Sequence, residues 1–242
     1  MFFYLLFVLF CSRNAYEAGF DIIETPFNYG VDQVDNKNWF HSLNYSGELL
    51  QCRHINIVMY YIRKRAKYRP VGGVRITTTD CLFDDRMTSY YVAYLKRKKP
   101  ESTSVTDRSL IAKYICGYKM LCNTHWENVD EVLFPMNMKK QKHWILGRLV
   151  FKERCIYVYN SMSSNVAKKS AVEATTKYSV LIPLFLSQMN FYELRSDIDL
   201  TSQPYLNKNS TDAFRIETVD DLPNQKDWYV FKFTICKIMQ FC

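Results

Sequence analysis

The feature that most constrains the fold is a pair of apolar runs between residues 143 and 160. The first run is HWILGRLVF and the second is CIYVYN, and only the tripeptide KER separates them. Two such runs joined by a short polar link are typical of a β-hairpin. If the turn is centred near Lys152 and Glu153, antiparallel partners have residue numbers that sum to about 305. His143 and Asn160 sum to 303, so we expect them at the same end of the two strands.

This expected pairing of His143 with Asn160 has two interpretations. An imidazole beside a side-chain carbonyl is held in one tautomer, which is what a general base needs. A histidine at the end of a strand is more often a partly exposed polar cap, and the pair alone does not decide between the two. Both interpretations stay open on the pattern.

The remaining segments give a helical part followed by strands and a further helix. Residues 54–68 have apolar side chains at helical spacing and a basic C-terminal end, which suits the helix dipole. Residues 106–121 are predicted to form a second helix. The run 129–138 is typical of a short buried strand that stops at Pro135, and residues 171–189 predict a helix that Pro183 bends or ends. This order predicts an α+β domain.

Length and composition indicate one large globular domain. The chain has 242 residues, 48% of them hydrophobic, with only 7 Gly and 7 Pro, so it can bury a sizeable core. The opening run, MFFYLLFVLF, is too short to span a bilayer as a helix, and no Lys or Arg precedes it as in a secretory signal. We therefore expect an uncleaved apolar segment over 1–20, no transmembrane span, and a single domain over 21–242. The hydrophobic region of a secretory signal stays the alternative for the opening run.

The net charge of +8 favours acidic partners. Part of it lies in two short clusters, RKRAKYR at 63–69 and KRKK at 96–99. Such clusters are usually solvated helix faces and loops, so contact with nucleic acid is the weaker interpretation of the charge.

The eight cysteines show no C-x-x-C motif and no Cys/His cluster with the spacing of a zinc site. Several lie inside apolar runs, Cys155 and Cys236 among them, where a reduced thiol behaves as a small hydrophobe. We expect reduced thiols, an intracellular setting, and neither a metal nor another cofactor.

Four short motifs occur in a fixed order along the chain. They are Pro135-Met136-Asn137, His143-Trp144, Tyr159-Asn160-Ser161 and Pro223-Asn224-Gln225. With these motifs in this order, the chain resembles the ubiquitin-like-protein proteases, the SUMO- or sentrin-deconjugating cysteine peptidases. The resemblance covers roughly residues 36–231. It is most similar to divergent plant copies of that domain, which are often associated with mobile elements.

The resemblance implies a role for each matching residue. His143 takes the position of the general base, and Asn160 takes that of the orienting acid, normally Asp. Gln225 takes the oxyanion-hole position, where an amide donor stabilises the charge that develops on the scissile carbonyl. Trp144 resembles the aromatic residue that covers the channel for a Gly-Gly tail.

The chain departs from the family pattern at two of these positions. Asn160 lacks the charge of Asp, although Cys-His-Asn arrangements do work in papain-like enzymes. The heavier departure is at the nucleophile, because the segment Asp227 to Phe231 fits Asp-Cys-Gly-Val-Phe with Trp228 and Tyr229 in place of Cys and Gly. The loop between Gln225 and this position is also shorter, with two residues instead of the five of the family pattern. Either an active domain has decayed at its nucleophile, or the residues after Gln225 are not the family's continuation.

The resemblance implies a papain-like cysteine-protease architecture, with a mixed central sheet flanked by helices and truncated at the C-terminus. The ancestral reaction is hydrolysis of peptide or isopeptide bonds after Gly-Gly of a ubiquitin-like modifier, and we expect this chain to be inactive. The alternatives are a non-catalytic module that binds such a modifier and a basic protein that contacts nucleic acid. The implied partner is a ubiquitin-like modifier or its conjugates, for a monomer in the nucleus or cytoplasm.

Overall fold

The computed structural model describes residues 22–44, 49–70, 72–96, 106–220 and 222. Its elements, in chain order, are β1 (Ile22–Asn28), β2 (Gln33–Asn36), α1 (Lys37–Asn44), α2 (Cys52–Tyr68), β3 (Ile76–Thr78), α3 (Cys81–Leu95), α4 (Leu110–Ile115), β4 (Glu131–Met138), β5 (His143–Val150), β6 (Cys155–Tyr159), α5 (Asn165–Gln188) and β7 (Arg215–Thr218). The chain divides into two compact units between Val58 and Met59. The apolar segment 1–20 lies outside the described residues, and the extent of one domain over 21–242 stays a prediction.

The first unit is built on a β-hairpin followed by a helix. Strands β1 and β2 are antiparallel, and Gly30 turns the chain between them with a φ of 84°. The Gly30 N–H donates to Oδ1 of Asn28 at 2.8 Å, which closes the turn. Trp39 and Phe40 of α1 are buried, with ring centroids 4.9 Å apart in an edge-on arrangement. This unit therefore has a small aromatic core of its own.

A buried histidine, His54, caps helix α2 inside this unit. Its Nδ1 accepts the backbone N–H of Gln51 at 2.9 Å, and its Nε2 lies 3.1 Å from both the Trp39 carbonyl and the Ser42 hydroxyl. A side chain at the third helical position that accepts the N-cap N–H plays the part of Glu in a capping box. Burial lowers the pKa of His54, so the ring is neutral, with Nδ1 as acceptor and Nε2–H as donor.

The second unit contains a five-stranded mixed sheet in the order β3-β4-β5-β6-β7. The outer pairs, β3 with β4 and β6 with β7, are parallel, whereas β4, β5 and β6 form an antiparallel centre. Helix α3 contacts β4, and α5 contacts β4, β6 and β7. The expected α+β class, with a mixed sheet flanked by helices, is confirmed.

Alternate residues of the central strands supply the core beneath these helices. Phe134 of β4 stacks on Tyr178 of α5, with ring centroids 4.3 Å apart. Gly147, on the neighbouring strand β5, makes room for that ring, because a Cβ at this position would lie 2.1 Å from the Phe134 side chain. Any larger residue at 147 would displace Phe134 and loosen the contact between the sheet and α5.

The hairpin predicted from the two apolar runs is confirmed, including its register. Strands β5 and β6 pair Leu146 with Tyr159 and Val150 with Cys155, so partners sum to 305. The turn contains Arg154 at a φ of 51°. Its guanidinium donates to the carbonyls of Ala213 and Asp212 at 3.0 and 2.7 Å, which holds the turn against the segment before β7.

The predicted end of a strand at Pro135 is wrong, because β4 continues to Met138. Pro135 pairs with Leu146 of β5, and β3 accompanies β4 only as far as Leu133. A proline is tolerated in a strand where no ladder partner needs its missing N–H. Pro135 lies beyond the end of β3, so the missing N–H of the proline costs β4 no hydrogen bond to β3.

Helix α5 likewise continues past Pro183, to Gln188, instead of ending there. A proline leaves the carbonyl four residues earlier, that of Ser179, without its helical donor. The backbone N–H of Phe214 donates to this carbonyl at 3.0 Å, and the Ser179 hydroxyl donates to the Phe214 carbonyl at 2.5 Å. The segment before β7 thus supplies the donor that the proline removes.

Two further expectations need correction. The helix predicted over 106–121 is reduced to α4, Leu110–Ile115. In the basic cluster 63–69, Arg63 is buried and donates to the Leu121 carbonyl and the Thr78 hydroxyl at 2.8 and 2.7 Å. Arg63 therefore belongs to the interior and is removed from the proposed basic surface.

Candidate active site

His143 is the first residue of β5 and lies directly opposite Met138, the last residue of β4. A 3₁₀ turn, Lys139–Gln141, and Lys142 in the left-handed region with a φ of 50° reverse the chain between the two strands. The His143 ring is 7% exposed, so it is not the partly exposed polar cap of the second interpretation. The tight turn fixes the position of the ring at the end of the sheet.

Asn160 follows the last residue of β6, and its side chain lies close enough to the His143 ring to raise the pKa of that ring. Its amide is oriented from the other side, since Nδ2 donates to the Ala167 carbonyl at 3.3 Å and Oδ1 accepts the Met162 N–H at 3.0 Å. This orientation leaves Oδ1 as the acceptor that faces an imidazole N–H. The structure thus brings the predicted pair to the same end of the hairpin, although partners that sum to 305 make Asn160 a diagonal neighbour of His143 and not its direct partner.

Ser161 also lies next to the His143 ring, and the sequence alone did not predict this contact. Its hydroxyl oxygen lies 3.5 Å from Nε2 of His143, and the side chain is buried. The motif Tyr159-Asn160-Ser161 places a second polar side chain one residue after Asn160. This spacing is the sequence feature from which the contact of Ser161 could have been predicted. Ser161 and Asn160 together form the polar wall on one side of the imidazole.

The protonation of His143 follows from these surroundings. Burial lowers the pKa of the ring, and the hydrogen bond to Asn160 opposes this only in part. The neutral ring is the form that can accept a proton from a thiol. Asn160 orients the ring, but an amide carries no charge to stabilise an imidazolium once it has formed. The pair is therefore a weak version of a histidine–carboxylate pair.

Trp144, the residue expected to cover a substrate channel, is the second residue of β5 and lies opposite Asn137. It is 8% exposed, so most of its indole surface is packed within the protein. The Pro135-Met136-Asn137 and His143-Trp144 motifs are thus neighbours on paired strands, which explains why they occur together in the sequence pattern.

A buried polar cluster beneath this end of the sheet was not predicted. Asp84 of α3 accepts the Asn137 N–H through Oδ2 at 3.2 Å. Its other oxygen, Oδ1, accepts from Nζ of Lys177 at 2.5 Å and from the Tyr178 hydroxyl at 2.6 Å, both on α5. Asp84 therefore ties both helices to the strand end that faces Trp144. No local sequence pattern pairs residues so far apart along the chain.

Gln225, at the oxyanion-hole position, and Trp228, at the nucleophile position, lie outside the described residues. Within the described part of the chain, no group of three or more His, Cys, Asp or Glu side chains is placed to hold a metal ion. Of the helices in that part, none is both long enough and apolar enough to cross a bilayer.

Cys155 is one of the free thiols in the described residues, and it is fully buried. It pairs with Val150 at the end of β5 opposite to His143, about 23 Å away along the strand at 3.3 Å per residue. Burial raises the pKa of Cys155, which disfavours the thiolate. The prediction that Cys155 is a packed residue is confirmed, and it cannot react with His143.

Comparison with known proteins gives a family. The family model of the Ulp1 protease family, C-terminal catalytic domain, matches residues 48–229, more than half of the chain. No curated protein sequence matches the chain. The family match confirms the resemblance to the ubiquitin-like-protein proteases.

Solved structures also resemble this fold. One described as the de-sumoylating protease has a TM-score of 0.52 and 11% identity, over 89% of this chain and 71% of that one. Another, the C-terminal Ulp1 protease domain in complex with Smt3, the yeast orthologue of SUMO, has a TM-score of 0.45 and 16% identity, over 85% and 70%. The SUMO protease Ulp1 with its catalytic cysteine oxidised to a sulfonic acid gives 0.45 and 15%, over 85% and 71%.

The first of these likenesses supports the papain-like fold alone, and the family itself rests on the match over residues 48–229. Together with the paired His143 and Asn160 at the head of the hairpin, that match gives one conclusion. The chain belongs to the Ulp1 protease family and carries its C-terminal catalytic domain.

Proposed function

We propose that this member of the family does not hydrolyse its ancestral substrate and acts as a binding module for a ubiquitin-like modifier. The observation that carries the proposal is Trp228 at the position where the family pattern has its cysteine. An indole offers no thiol for acyl transfer, and at the nucleophile position its bulk would fill the space that an acyl group needs. A thiol peptidase requires a thiolate beside an imidazole.

The histidine side of the site supports the same proposal. His143 is buried and neutral, and its partner Asn160 is an amide. Thiol activation needs a stable imidazolium next to the thiolate, and both burial and the missing carboxylate disfavour that charged form. Even a thiol brought to this ring would be only weakly activated.

The binding part of the proposal rests on what the site retains. The hairpin carries His143 and Trp144 at its strand end, and Asp84 and its donors on α5 hold that end. A solved structure of the family shows the C-terminal Ulp1 domain in complex with Smt3. By analogy, the partner of this chain is a ubiquitin-like modifier or a protein conjugated to it, met in an intracellular setting.

Two measurements on the unaltered chain test the proposal. A modifier with an electrophilic C-terminal warhead should form no adduct detectable by intact-mass spectrometry, even with the chain at high concentration. The unmodified modifier should bind in a calorimetric titration, and a matched modifier that lacks its Gly-Gly tail should bind more weakly.

Either half of the proposal can fail separately. An adduct on any cysteine that disappears in the His143→Ala variant would show that the chain is an active peptidase. Absence of binding by the intact modifier, with the chain shown to be folded by circular dichroism, would remove the role as a binding module.

A further inference from the structure

Five lysines surround the turn that leads into His143. We call them the lysine rim: Lys139, Lys140, Lys142, Lys168 and Lys169. The first three belong to the β4–β5 turn and the last two to the first turns of α5. A hydrogen bond of 2.8 Å from Nε2 of Gln141 to the Ser170 hydroxyl joins the two segments. Residues of both segments therefore present one basic surface.

Acidic side chains neutralise only part of this surface. Lys139 pairs with Asp85 at 3.3 Å, and Lys168 pairs with Asp220 at 2.8 Å. The other three lysines, Lys140, Lys142 and Lys169, are exposed and form no ion pair with any residue that the structure describes. Three uncompensated positive charges on adjoining segments repel one another, and an anionic partner relieves that repulsion.

The position of the rim relates it to the candidate site. Lys142 is bonded directly to His143, and Lys169 lies in the same helix as Ala167, whose carbonyl accepts from Asn160. The ring of His143 is neutral, so the positive charge around this strand end comes from the lysines. A partner held on the rim would therefore lie beside the paired strand ends with His143 and Trp144.

The chemistry of the rim favours an acidic protein surface over nucleic acid. The rim has no arginine, whose planar fork suits phosphate groups, and its two segments offer no exposed aromatic ring for bases to stack on. Lysines act as flexible point charges that steer a partner through long-range attraction.

We propose that the lysine rim is the docking surface for the acidic face of the bound ubiquitin-like modifier. This inference rests on the proposed function, and it adds the surface and the charge of the partner. Attraction of this kind speeds association and weakens as salt screens it.

The test uses the full chain and two charge-reversed variants. K140E/K142E/K169E changes the rim, and K113E/K119E/K208E changes three exposed lysines elsewhere, with the same change in net charge. Binding of a SUMO-type modifier is measured at 50 and 500 mM salt. The rim variant should bind about tenfold more weakly at low salt, with most of the difference lost at high salt, and the control variant should match the unaltered chain.

A ten-residue poly-glutamate peptide and a single-stranded oligonucleotide serve as independent probes. If the modifier binds but all three chains bind it equally, the rim proposal is wrong and the proposed function stands. If the modifier does not bind but poly-glutamate binds in a rim-dependent way, the acidic partner stands and the modifier is wrong. Binding of neither, or rim-dependent binding of the oligonucleotide alone, overturns the inference.

Discussion

Two buried histidines, His54 and His143, show how different surroundings give the same residue different uses. Burial lowers the pKa of both rings. The ring of His54 is held at Nδ1 by a backbone N–H and at Nε2 by a backbone carbonyl, so it is locked into the start of a helix. The ring of His143 instead lies beside two side chains, those of Asn160 and Ser161.

The kind of group that contacts the ring separates a structural histidine from a site histidine. Backbone partners at both nitrogens fix one tautomer, and the ring cannot take a proton without breaking the helix cap. Side-chain partners can reorient when the ring changes its protonation state, which a general base must do. Low exposure and a lowered pKa alone would not distinguish the two residues.

The largest effect is expected from Asp84, because it anchors the strand end near His143. Asp84→Ala leaves Lys177 as a buried unpaired charge and Tyr178 without its acceptor, which should destabilise the second unit by about 3–5 kcal/mol. The matched control is its neighbour, Asp85→Ala, whose exposed pair with Lys139 is worth about 0–1 kcal/mol. Urea unfolding measures both, and equal losses would contradict the anchoring role.

The next effect separates the two histidines directly. His54→Ala leaves the Gln51 N–H without its acceptor, whereas the Trp39 carbonyl keeps the Ser42 hydroxyl as a donor at 2.9 Å, and the change should cost about 2–3 kcal/mol. His143→Ala loses only side-chain contacts and should cost about 1 kcal/mol. His54→Gln can still accept the N-cap N–H, so it should restore part of the loss. The rate of hydrogen exchange at the Gln51 amide reports whether this N–H is bonded to residue 54. An unchanged exchange rate in His54→Ala would refute the capping role of His54.

The sequence predicts the hairpin and the pairing of His143 with Asn160 because a strand period of two turns position into geometry. No such rule reaches His54, whose backbone partners belong to Trp39 and Gln51. The Asp84–Lys177 contact joins residues 93 apart, and the partner of the Ser179 carbonyl comes from Phe214. Both depend on how α5 packs, so the local pattern around Pro183 does not decide between a helix that bends and one that ends.

A further effect is a pH dependence that both histidines share. Their pKa values are lowered in the folded chain, so the unfolded chain binds the proton first as the pH falls below 6.5. Stability should therefore be full above that pH and decrease below it, by up to about 1.4 kcal/mol per pH unit for each ring. His54→Gln and His143→Gln should each flatten the slope between pH 5 and 7. An unchanged slope in the double variant would exclude both rings as its source.

The proposed inactivity is tested most directly by restoring the cysteine that Trp228 replaces. The rebuilt chain carries Trp228→Cys and Tyr229→Gly, with the loop after Gln225 lengthened from two residues to the five of the family pattern. Its rate of labelling by a modifier with an electrophilic warhead is compared with that of the unaltered chain. We expect no labelling of the unaltered chain, slow labelling of the rebuilt one, and loss of that labelling when His143→Ala is added. Labelling of the unaltered chain that depends on His143, or labelling of the rebuilt chain that does not, would contradict the account.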